Sequence, residues 1–332
     1  MKKKKLLIIG AGLSGLYTAF LLQDRYDVTV LEARERTGGR ILNMYGHDMG
    51  PSWVWRHQTY ILQLIDSLGL EYFEQYIYGD ALYDAPEGVQ RFSVPPSAPS
   101  YRVKGGMTKI INALEEKMHN SVKINEKVIS LIEKERSVMV KTEHDTYEVD
   151  KVISTLPPRL AVETIKYDPP LEMAVREQLT NIPTWMGYSA KCVIEFEEAF
   201  WREEGLSGFG ISHVGPLAEI HDASTGERAA LFGFLHSNAS YESIKENITV
   251  QLTRLYGDKA SKPLNIYVVD WKKEIYTSTT LDSQPLADHP SYGFDVKHFN
   301  GKLIFSGTES AFKEGGYLEG AANATRNVIK HV

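Results

Sequence analysis

The sequence predicts an α/β fold in which a parallel sheet covered by helices is interrupted by a second, α+β domain built on a mixed sheet. Three observations support this prediction. The chain begins with an apolar strand, a glycine-rich turn and a helix at residues 6–25. A similar strand, glycine and helix stand at residues 303–330. Alternating apolar and polar residues, typical of strands, occupy the middle of the chain at residues 191–196, 229–236 and 265–270.

The first turn, Gly-Ala-Gly-Leu-Ser-Gly, follows a buried strand predicted at residues 6–9. Gly10 allows a tight turn, Gly12 permits close approach of a pyrophosphate, and Gly15 lets a helix pack on the sheet. That helix is predicted at residues 14–25, where its free N–H groups and positive dipole end favour a bound phosphate. The pattern therefore indicates a dinucleotide-binding unit.

A second strand, predicted at residues 28–31, ends at Glu32. A carboxylate in this position can accept hydrogen bonds from both hydroxyls of an adenosine ribose and would repel a 2′-phosphate. The run Glu-Ala-Arg-Glu-Arg-Thr-Gly-Gly-Arg then extends to Arg40. Its glycine pair suits a second pass of the chain over the diphosphate, and the Arg40 guanidinium suits a charge-assisted contact. The glycines alone do not choose between NAD and FAD.

Further motifs follow this run along most of the chain. They are Asp-Met-Gly-Pro-Ser-Trp at residues 48–53, Gly-Gly-Met at residues 105–107 before a helix predicted at residues 108–118, and residues 127–129, 152–158, 167–171, 306–309 and 315–321. Together with residues 32–40 they resemble the flavin-containing amine oxidoreductases, the family that includes monoamine oxidases and polyamine oxidases. The resemblance implies a Rossmann-like FAD-binding domain and an FAD-dependent oxidoreductase.

The resemblance also implies which residues contact FAD. The predicted cofactor-binding residues are Gly10, Gly12, Leu13, Ser14, Gly15, Glu32, Ala33, Arg34, Gly39, Arg40, Trp53, Val128, Gly307, Glu309, Tyr317 and Leu318. In relatives the valine that matches Val128 contacts adenine through its backbone, and Leu318 would likewise use its backbone. A final helix, predicted at residues 317–330, would direct its N-terminus at the pyrimidine side of the flavin, where negative charge develops on reduction.

Two catalytic residues are implied, Lys191 and Tyr317. Residues 185–193 resemble the family segment whose lysine holds a water against flavin N5. A lysine between apolar neighbours is expected to be buried with a lowered pKa, because desolvation disfavours its charge. On alternation alone, Lys191 would instead face solvent from an edge strand. Tyr317 matches one wall of the family's aromatic cage, which steers a neutral amine toward the flavin and stabilises charge developing on nitrogen.

The second wall of this cage is not evident in the sequence. Counting from Trp271, the positions of a flavin-linking cysteine and of the second aromatic residue fall near Thr280 and Leu281. Because the sole cysteine is Cys192, the FAD is predicted to be noncovalent. The alternatives for the missing wall are Tyr276, Trp53 and Trp55.

Composition limits the classes of function. With 332 residues, 42% of them hydrophobic, the chain can bury a full core. Its net charge of −6 argues against a nucleic-acid surface. No apolar run approaches a membrane span or a signal peptide. A single cysteine excludes internal disulfides and favours a cytoplasmic location, and the histidines show no metal-ligand spacing.

The predicted domains are discontinuous, because FAD motifs lie at both ends of the chain. Residues 1–75, 101–180 and 278–332 are predicted to build the FAD-binding domain. Residues 76–100 and 181–277 are predicted to build the substrate domain.

The segment at residues 76–102 is short where larger relatives carry a long helical insertion. The lid over the active site must therefore be minimal, and we expect either an open site or a site closed by a second subunit in a homodimer. Residues 85–100, which are rich in Pro and Ser, are predicted to form a loop, and residues 241–256 a helix on the mixed sheet.

These observations predict an FAD-dependent amine oxidoreductase with a small-molecule amine as substrate. In the family, a hydride equivalent passes from the carbon next to the amine nitrogen to flavin N5, which gives an imine that water hydrolyses. Oxygen or another electron acceptor then reoxidises the flavin. Two alternatives remain: a desaturase or protoporphyrinogen-oxidase-like enzyme with a nonamine substrate, and a noncatalytic FAD-binding redox sensor.

Overall fold

A computed structural model describes residues 3–95, 98–118, 121–226 and 228–332. The strands in chain order are β1 (Lys4–Ile9), β2 (Tyr26–Leu31), β3 (Asn43–Met44), β4 (His47–Asp48), β5 (Val54–Trp55), β6 (Tyr72–Glu74), β7 (Asp80–Ala85), β8 (Gly88–Phe92), β9 (Ser100–Val103), β10 (Val122–Lys123), β11 (Val128–Glu133), β12 (Val138–Thr142), β13 (Thr146–Val149), β14 (Lys151–Ser154), β15 (Lys166–Asp168), β16 (Ala190–Phe196), β17 (Leu206–Ser212), β18 (Leu217–Asp222), β19 (Ala229–Leu235), β20 (Asn265–Asp270), β21 (Val296–His298) and β22 (Leu303–Phe305). The α-helices are α1 (Leu13–Leu22), α2 (Thr59–Ser67), α3 (Thr108–Glu116), α4 (Pro158–Thr164), α5 (Met173–Thr180), α6 (Phe200–Glu203), α7 (Ile244–Tyr256) and α8 (Leu318–Val328).

The first sheet has the strand order β10-β2-β1-β14-β22-β21. Its strands are parallel except for β21, which pairs antiparallel with β22. Both faces are buried, because Leu6 and Ile8 of β1 join one apolar cluster while Leu7 and Ile9 join another. Continuous apolar strands are typical of such a doubly covered parallel sheet. The predicted Rossmann-like α/β fold is confirmed.

Helices cover one face of this sheet, and a second sheet covers the other. Leu16 of α1, Ile110 of α3 and Ala322 of α8 belong to the same apolar cluster as Leu6. A sheet of order β13-β12-β11-β15 contributes Leu131 and other residues to the cluster on the opposite face. The glycine-rich turn therefore lies where β1 of the sheet passes into α1 of the helical layer.

The third large sheet has the order β20-β16-β19-β18-β17-β7-β8. It is mixed, since β17 pairs parallel with β7 while its other strand pairs are antiparallel. The predicted strands near residues 191–196, 229–236 and 265–270 are confirmed as β16, β19 and β20. All seven strands lie within residues 80–92 and 190–270. The division into two domains stays a prediction.

The prediction of a loop at residues 85–100 was wrong in part. Residues 88–92 form β8, which makes an antiparallel hairpin with β7. All five residues of β8 are exposed at the sheet edge, so no buried face produced an apolar pattern in the sequence. Residues 96–97 of the predicted loop lie outside the described residues.

Candidate active site

A cavity of about 710 Å³ is lined by residues of both the first sheet and the mixed sheet. The predicted site residues that line it are Gly10, Gly12, Leu13, Ser14, Glu32, Ala33, Arg34, Gly39, Arg40, Trp53, Val128, Lys191, Tyr317 and Leu318. We call the part around Glu32 and Arg34 the nucleotide part, and the part around Lys191 and Tyr317 the aromatic part. The fold thus brings residues from distant segments of the chain to one cavity.

Three predicted cofactor residues lie behind the cavity wall. A Cβ at Gly15 would stand 1.9 Å from the Gly10 carbonyl oxygen, so this glycine lets α1 pack against the turn. Gly307 is also in close contact, because a Cβ there would stand 3.0 Å from the Thr155 carbonyl oxygen. Glu309 is fully buried, and its Oε1 lies 2.7 Å from Arg40 Nη2. Contacts between these residues and FAD stay predictions.

The two glycine-rich segments lie directly against each other. Gly38 donates its backbone N–H to the Ala11 carbonyl at 2.8 Å. Gly39 has a φ of +58°, and a Cβ there would stand 3.3 Å from Gly12 Cα. Both segments therefore present backbone, without side chains, beside the N-terminus of α1.

Glu32 is almost completely buried at the end of β2. Its Oε2 accepts the Ala11 N–H at 2.9 Å and its Oε1 accepts the Arg34 N–H at 3.0 Å. Oε1 also accepts a hydrogen bond from Arg34 Nη1 at 3.4 Å, whereas Oε2 keeps a second lone pair for another donor. Glu32 thus keeps acceptor capacity on the cavity wall.

The nucleotide part fits a dinucleotide diphosphate. Arg40 Nη1 and Glu126 Oε2 are buried and have no hydrogen-bond partner among the described residues, although Arg40 and Glu126 line the cavity. The N-termini of α1 and α8 reach the same cavity through Leu13 and Leu318. The Arg40 cation and the N-terminus of α1 favour the diphosphate anion, and the unpartnered polar atoms call for a polar ligand.

Lys191 lies on β16, between β19 and β20 in the interior of the mixed sheet. Its side chain is 2% exposed, and Nζ donates to the Gly50 carbonyl at 2.9 Å and to Ser52 Oγ at 2.6 Å. Nζ also stands 4.3 Å from the centre of the Phe232 ring. Burial lowers the pKa of Lys191 to about 7, against an opposing effect of Asp48. The predicted burial is confirmed, and the edge-strand alternative was wrong.

This lowered pKa predicts a pH-dependent change in stability. The unfolded chain holds the Lys191 proton up to about pH 10.5, whereas the folded chain releases it near pH 7. Stability must therefore rise between these pH values, because the unfolded state binds more protons there. We expect wild type to gain on the order of a few kcal/mol relative to Lys191→Met across this range.

Urea unfolding of both proteins at several pH values measures this difference. Titratable groups that do not interact with Lys191 cancel in the comparison. Lys109→Met, which removes an exposed lysine of α3, is the control and should run parallel to wild type. A constant difference between wild type and Lys191→Met would contradict the lowered pKa.

The aromatic part surrounds Tyr317 with rings from other segments. Trp55 meets Tyr317 edge-on at 6.2 Å, and Trp185 lies tilted at 6.1 Å. Leu281 is 57% exposed, and neither it nor Thr280 lines the cavity. The segment at residues 280–281 therefore supplies no second wall.

The three alternatives for that wall are distributed over the cavity. Trp55 contacts Tyr317, whereas Trp53 packs on Phe232 at 5.1 Å. Tyr276 lies under the Arg34 guanidinium at 5.4 Å, in the nucleotide part. Trp185 is a second ring beside Tyr317, and it was not among the predicted site residues. The sequence signal that could have identified Trp185 is its place within residues 185–193, which resemble a segment of the family.

Glu219 adds a carboxylate to the aromatic part. It lines the cavity from β18, and its Oε1 is 2.5 Å from His221 Nε2. This hydrogen bond lowers the pKa of Glu219, and the His221 ring stacks on Phe232 at 5.1 Å. Neither residue was predicted from the sequence, because β18, on which alternation places both on one face, was not predicted as a strand.

Two protein-family models match this chain. Residues 88–328 match the family model for flavin containing amine oxidoreductase, and residues 8–68 match that for an NAD(P)-binding Rossmann-like domain. The chain belongs to the flavin-containing amine oxidoreductases. It is an FAD-dependent oxidoreductase, with FAD as its cofactor.

Individual amine oxidoreductases match over nearly the whole chain. Amine oxidase B of Mus musculus is 25% identical over 450 aligned positions, covering 99% of this chain and 86% of the mouse protein. A putrescine oxidase structure with bound putrescine has a TM-score of 0.83 at 22% identity, covering 99% of this chain and 98% of that one. Cyclohexylamine oxidase from Brevibacterium oxydans has a TM-score of 0.82 at 17% identity, covering 98% and 97%. These two structures show that the fold is shared.

Two further properties of this amine oxidoreductase concern its described residues only. No helix among them combines the length and apolar character needed to cross a bilayer. In the same part of the chain, no cluster of three or more His, Cys, Asp or Glu side chains is placed to hold a metal ion.

Proposed function

We propose that this protein is an FAD-dependent amine oxidase that oxidises a small primary or secondary amine and uses oxygen as its electron acceptor. When bound, FAD accepts a hydride equivalent from the carbon next to the amine nitrogen. The single observation that carries the proposal is the buried Lys191, which reaches a cavity lined by Tyr317 and other aromatic rings. The substrate becomes an imine, which water hydrolyses.

Lys191 is proposed to hold a water in the cavity. An ammonium group has three protons, and Gly50 and Ser52 accept two of them. The third proton is left for a water. With a pKa near 7, Lys191 can exchange a proton with that water at neutral pH.

Tyr317 and its neighbouring rings are proposed to position the amine. The electron-rich faces of aromatic rings attract developing positive charge on nitrogen. Burial raises the pKa of Tyr317, so its hydroxyl stays neutral in this role. A negatively charged tyrosinate would stabilise the substrate amine in its protonated form, which is unreactive. The neutral Tyr317 side chain does not have this effect.

The FAD is proposed to be noncovalent. The only cysteine, Cys192, is completely buried in the apolar cluster with Ile194 and Leu231, and it does not line the cavity. No cysteine thiol is therefore available to the flavin. Glu32, Arg40 and the two helix N-termini would supply the binding energy by hydrogen bonds and charge.

We further propose that the substrate carries a second positive charge. Glu219 faces a part of the cavity whose other walls include Trp53, Phe232 and Phe234. Its Oε1 is engaged by His221, and the carboxylate oxygen Oε2 is left to favour a cationic group over a neutral alkyl chain. A diamine such as putrescine, the ligand of the putrescine oxidase structure, satisfies both groups: one nitrogen at Tyr317 and the other at Glu219.

Visible absorption spectra test the amine-oxidase proposal. Purified protein would be titrated anaerobically with monoamines, diamines, polyamines and amino acids. Bleaching of the oxidised flavin by an amine, followed by recovery on admission of air, is expected. A flavin that stays oxidised with every amine would contradict the proposal and favour a nonamine substrate or a redox sensor.

Glu219→Gln tests the second charge. We expect the variant to lower kcat/KM for putrescine by about 10- to 100-fold, because a hydrogen bond to a charged group contributes roughly 1.5–3 kcal/mol. For butylamine, which lacks the second ammonium, kcat/KM should fall by less than about threefold, because only a neutral contact changes. Steady-state oxygen consumption measures both rates.

The matched control is Glu246→Gln, which removes an exposed carboxylate of α7. This variant should oxidise both amines at the wild-type rate. An equal loss for putrescine and butylamine in Glu219→Gln would show that Glu219 does not select the second charge.

A further inference from the structure

His289 lies against the ring of Tyr317. The two rings are parallel within 8°, and their centres are 4.9 Å apart. Tyr317 lines the cavity whereas His289 does not. The imidazole therefore covers the face of Tyr317 that is turned away from the cavity.

The imidazole is itself fixed to the backbone just before Tyr317. His289 Nε2 donates to the Gly315 carbonyl at 3.0 Å, since a carbonyl oxygen can only accept. Gly316, with a φ of +84°, lets Trp185 pack directly against this backbone, because a Cβ there would stand 2.7 Å from Trp185 Cβ. The hydrogen bond sets both the position and the tautomer of the imidazole.

The same imidazole touches a second ring of the cavity wall. Trp185 meets His289 edge-on, with ring centres 4.6 Å apart. Trp185 and Tyr317 both line the cavity, on segments far apart in the sequence. One side chain outside the cavity thus contacts two rings inside it.

We propose that His289 is a positioning residue for amine oxidation, which holds Tyr317 and Trp185 in the orientation that the substrate meets. This proposal rests on the function proposed above. Tyr317 is half-buried, so its ring has freedom to turn when the stacked imidazole is removed. A small misplacement of a substrate-positioning group is costly for rate because the reacting atoms must be aligned.

A double-mutant cycle of His289→Ala and Tyr317→Leu tests the proposal. We expect His289→Ala to slow anaerobic flavin reduction at saturating amine by about tenfold, with a smaller change in KM. His289→Phe, which retains the stacked ring, should recover most of the rate. In the Tyr317→Leu background, His289→Ala should slow flavin reduction by clearly less than it does in wild type, since the contact with Tyr317 is already gone and only the contact with Trp185 remains.

Near-ultraviolet circular dichroism of the FAD-free protein supplies a readout without turnover. His289→Ala should change the aromatic bands, and this change should shrink when Tyr317 is already leucine. His213→Ala is the control, because His213 is an exposed histidine that meets another tyrosine ring, Tyr83, edge-on at 5.5 Å. It should leave the flavin-reduction rate unchanged.

Additive effects in both the rate and the circular dichroism cycles would overturn the proposal. A Tyr317→Leu variant that oxidises amines at the wild-type rate would instead count against Tyr317 in the proposed function. The circular dichroism cycle would then still decide whether His289 orients Tyr317. The two failures are therefore distinguishable.

Discussion

Lys191→Met is expected to slow turnover by about 100-fold or more while FAD stays bound, because a positioned proton-transfer group contributes at least this factor. Methionine is of similar length and apolar, so it fits the buried position on β16 without leaving a charge there. Gly50 and Ser52 keep their places, but the water proposed beside the flavin loses its donor. Rapid mixing of reduced enzyme with oxygen measures the affected step.

The rate of reoxidation by oxygen should also depend on pH through the charge of Lys191. Below pH 7 Lys191 is charged, and above it Lys191 is neutral, since burial lowers its pKa to about 7. A cation beside the flavin favours the transfer of negative charge to oxygen. The wild-type reoxidation rate should therefore fall as the pH rises through 7, and the rate of Lys191→Met should not.

Lys109→Met is the matched control, because it removes a lysine outside the cavity from an exposed position on α3. It should reoxidise at the wild-type rate at every pH. If Lys191→Met did the same, Lys191 would have no part in the reaction with oxygen.

Glu32→Ala is expected to raise the Kd for FAD by about 100-fold. The carboxylate is proposed to accept the ribose hydroxyls, and hydrogen bonds to a charged group contribute roughly 1.5–3 kcal/mol each. Its loss also frees the N–H groups of Ala11 and Arg34, which shape the turn around the diphosphate. Reconstitution of FAD-free protein, followed by flavin fluorescence, measures this Kd.

Two further variants separate the charge from the general effect of substitution. Glu32→Gln keeps one acceptor oxygen and should weaken FAD binding less than Glu32→Ala does. Glu35→Ala removes an exposed carboxylate from the same segment and should bind FAD with wild-type affinity. A fully loaded Glu32→Ala would argue against the ribose contact.

The parts of the fold that follow local patterns could be predicted from the sequence. The strand at β1, the glycine turn and α1 each depend on residues within a few positions of one another, and so do β22 and α8. The predicted helix at residues 14–25 nevertheless ends at Leu22, because its last turn depends on packing. The burial of Lys191 could be predicted only because residues 185–193 around it resemble a segment of the family.

Features that depend on contacts between distant residues were not predictable in this way. Glu219 reaches the cavity only because β18 assembles with β19 and β16 in one sheet, and Trp185 lines the cavity from the segment before β16. His289 carries no local pattern at all, since its role follows from the 4.9 Å stack on Tyr317. The position of the second cage wall, counted along the sequence to Leu281, was also wrong. The chain between β20 and β21 leaves Leu281 exposed on the surface.

The order of strands in the first sheet has a consequence for how the protein is made. β1 pairs with β14, β14 pairs with β22, and α8 packs on α1 through a hydrogen bond between Thr18 and Thr325. The glycine turn is synthesised early, but its neighbours in space are synthesised hundreds of residues later. We therefore expect capture of FAD to follow translation of residues 303–328, because a chain stalled before them has its phosphate-binding turn without the strand and the helix that pack beside it.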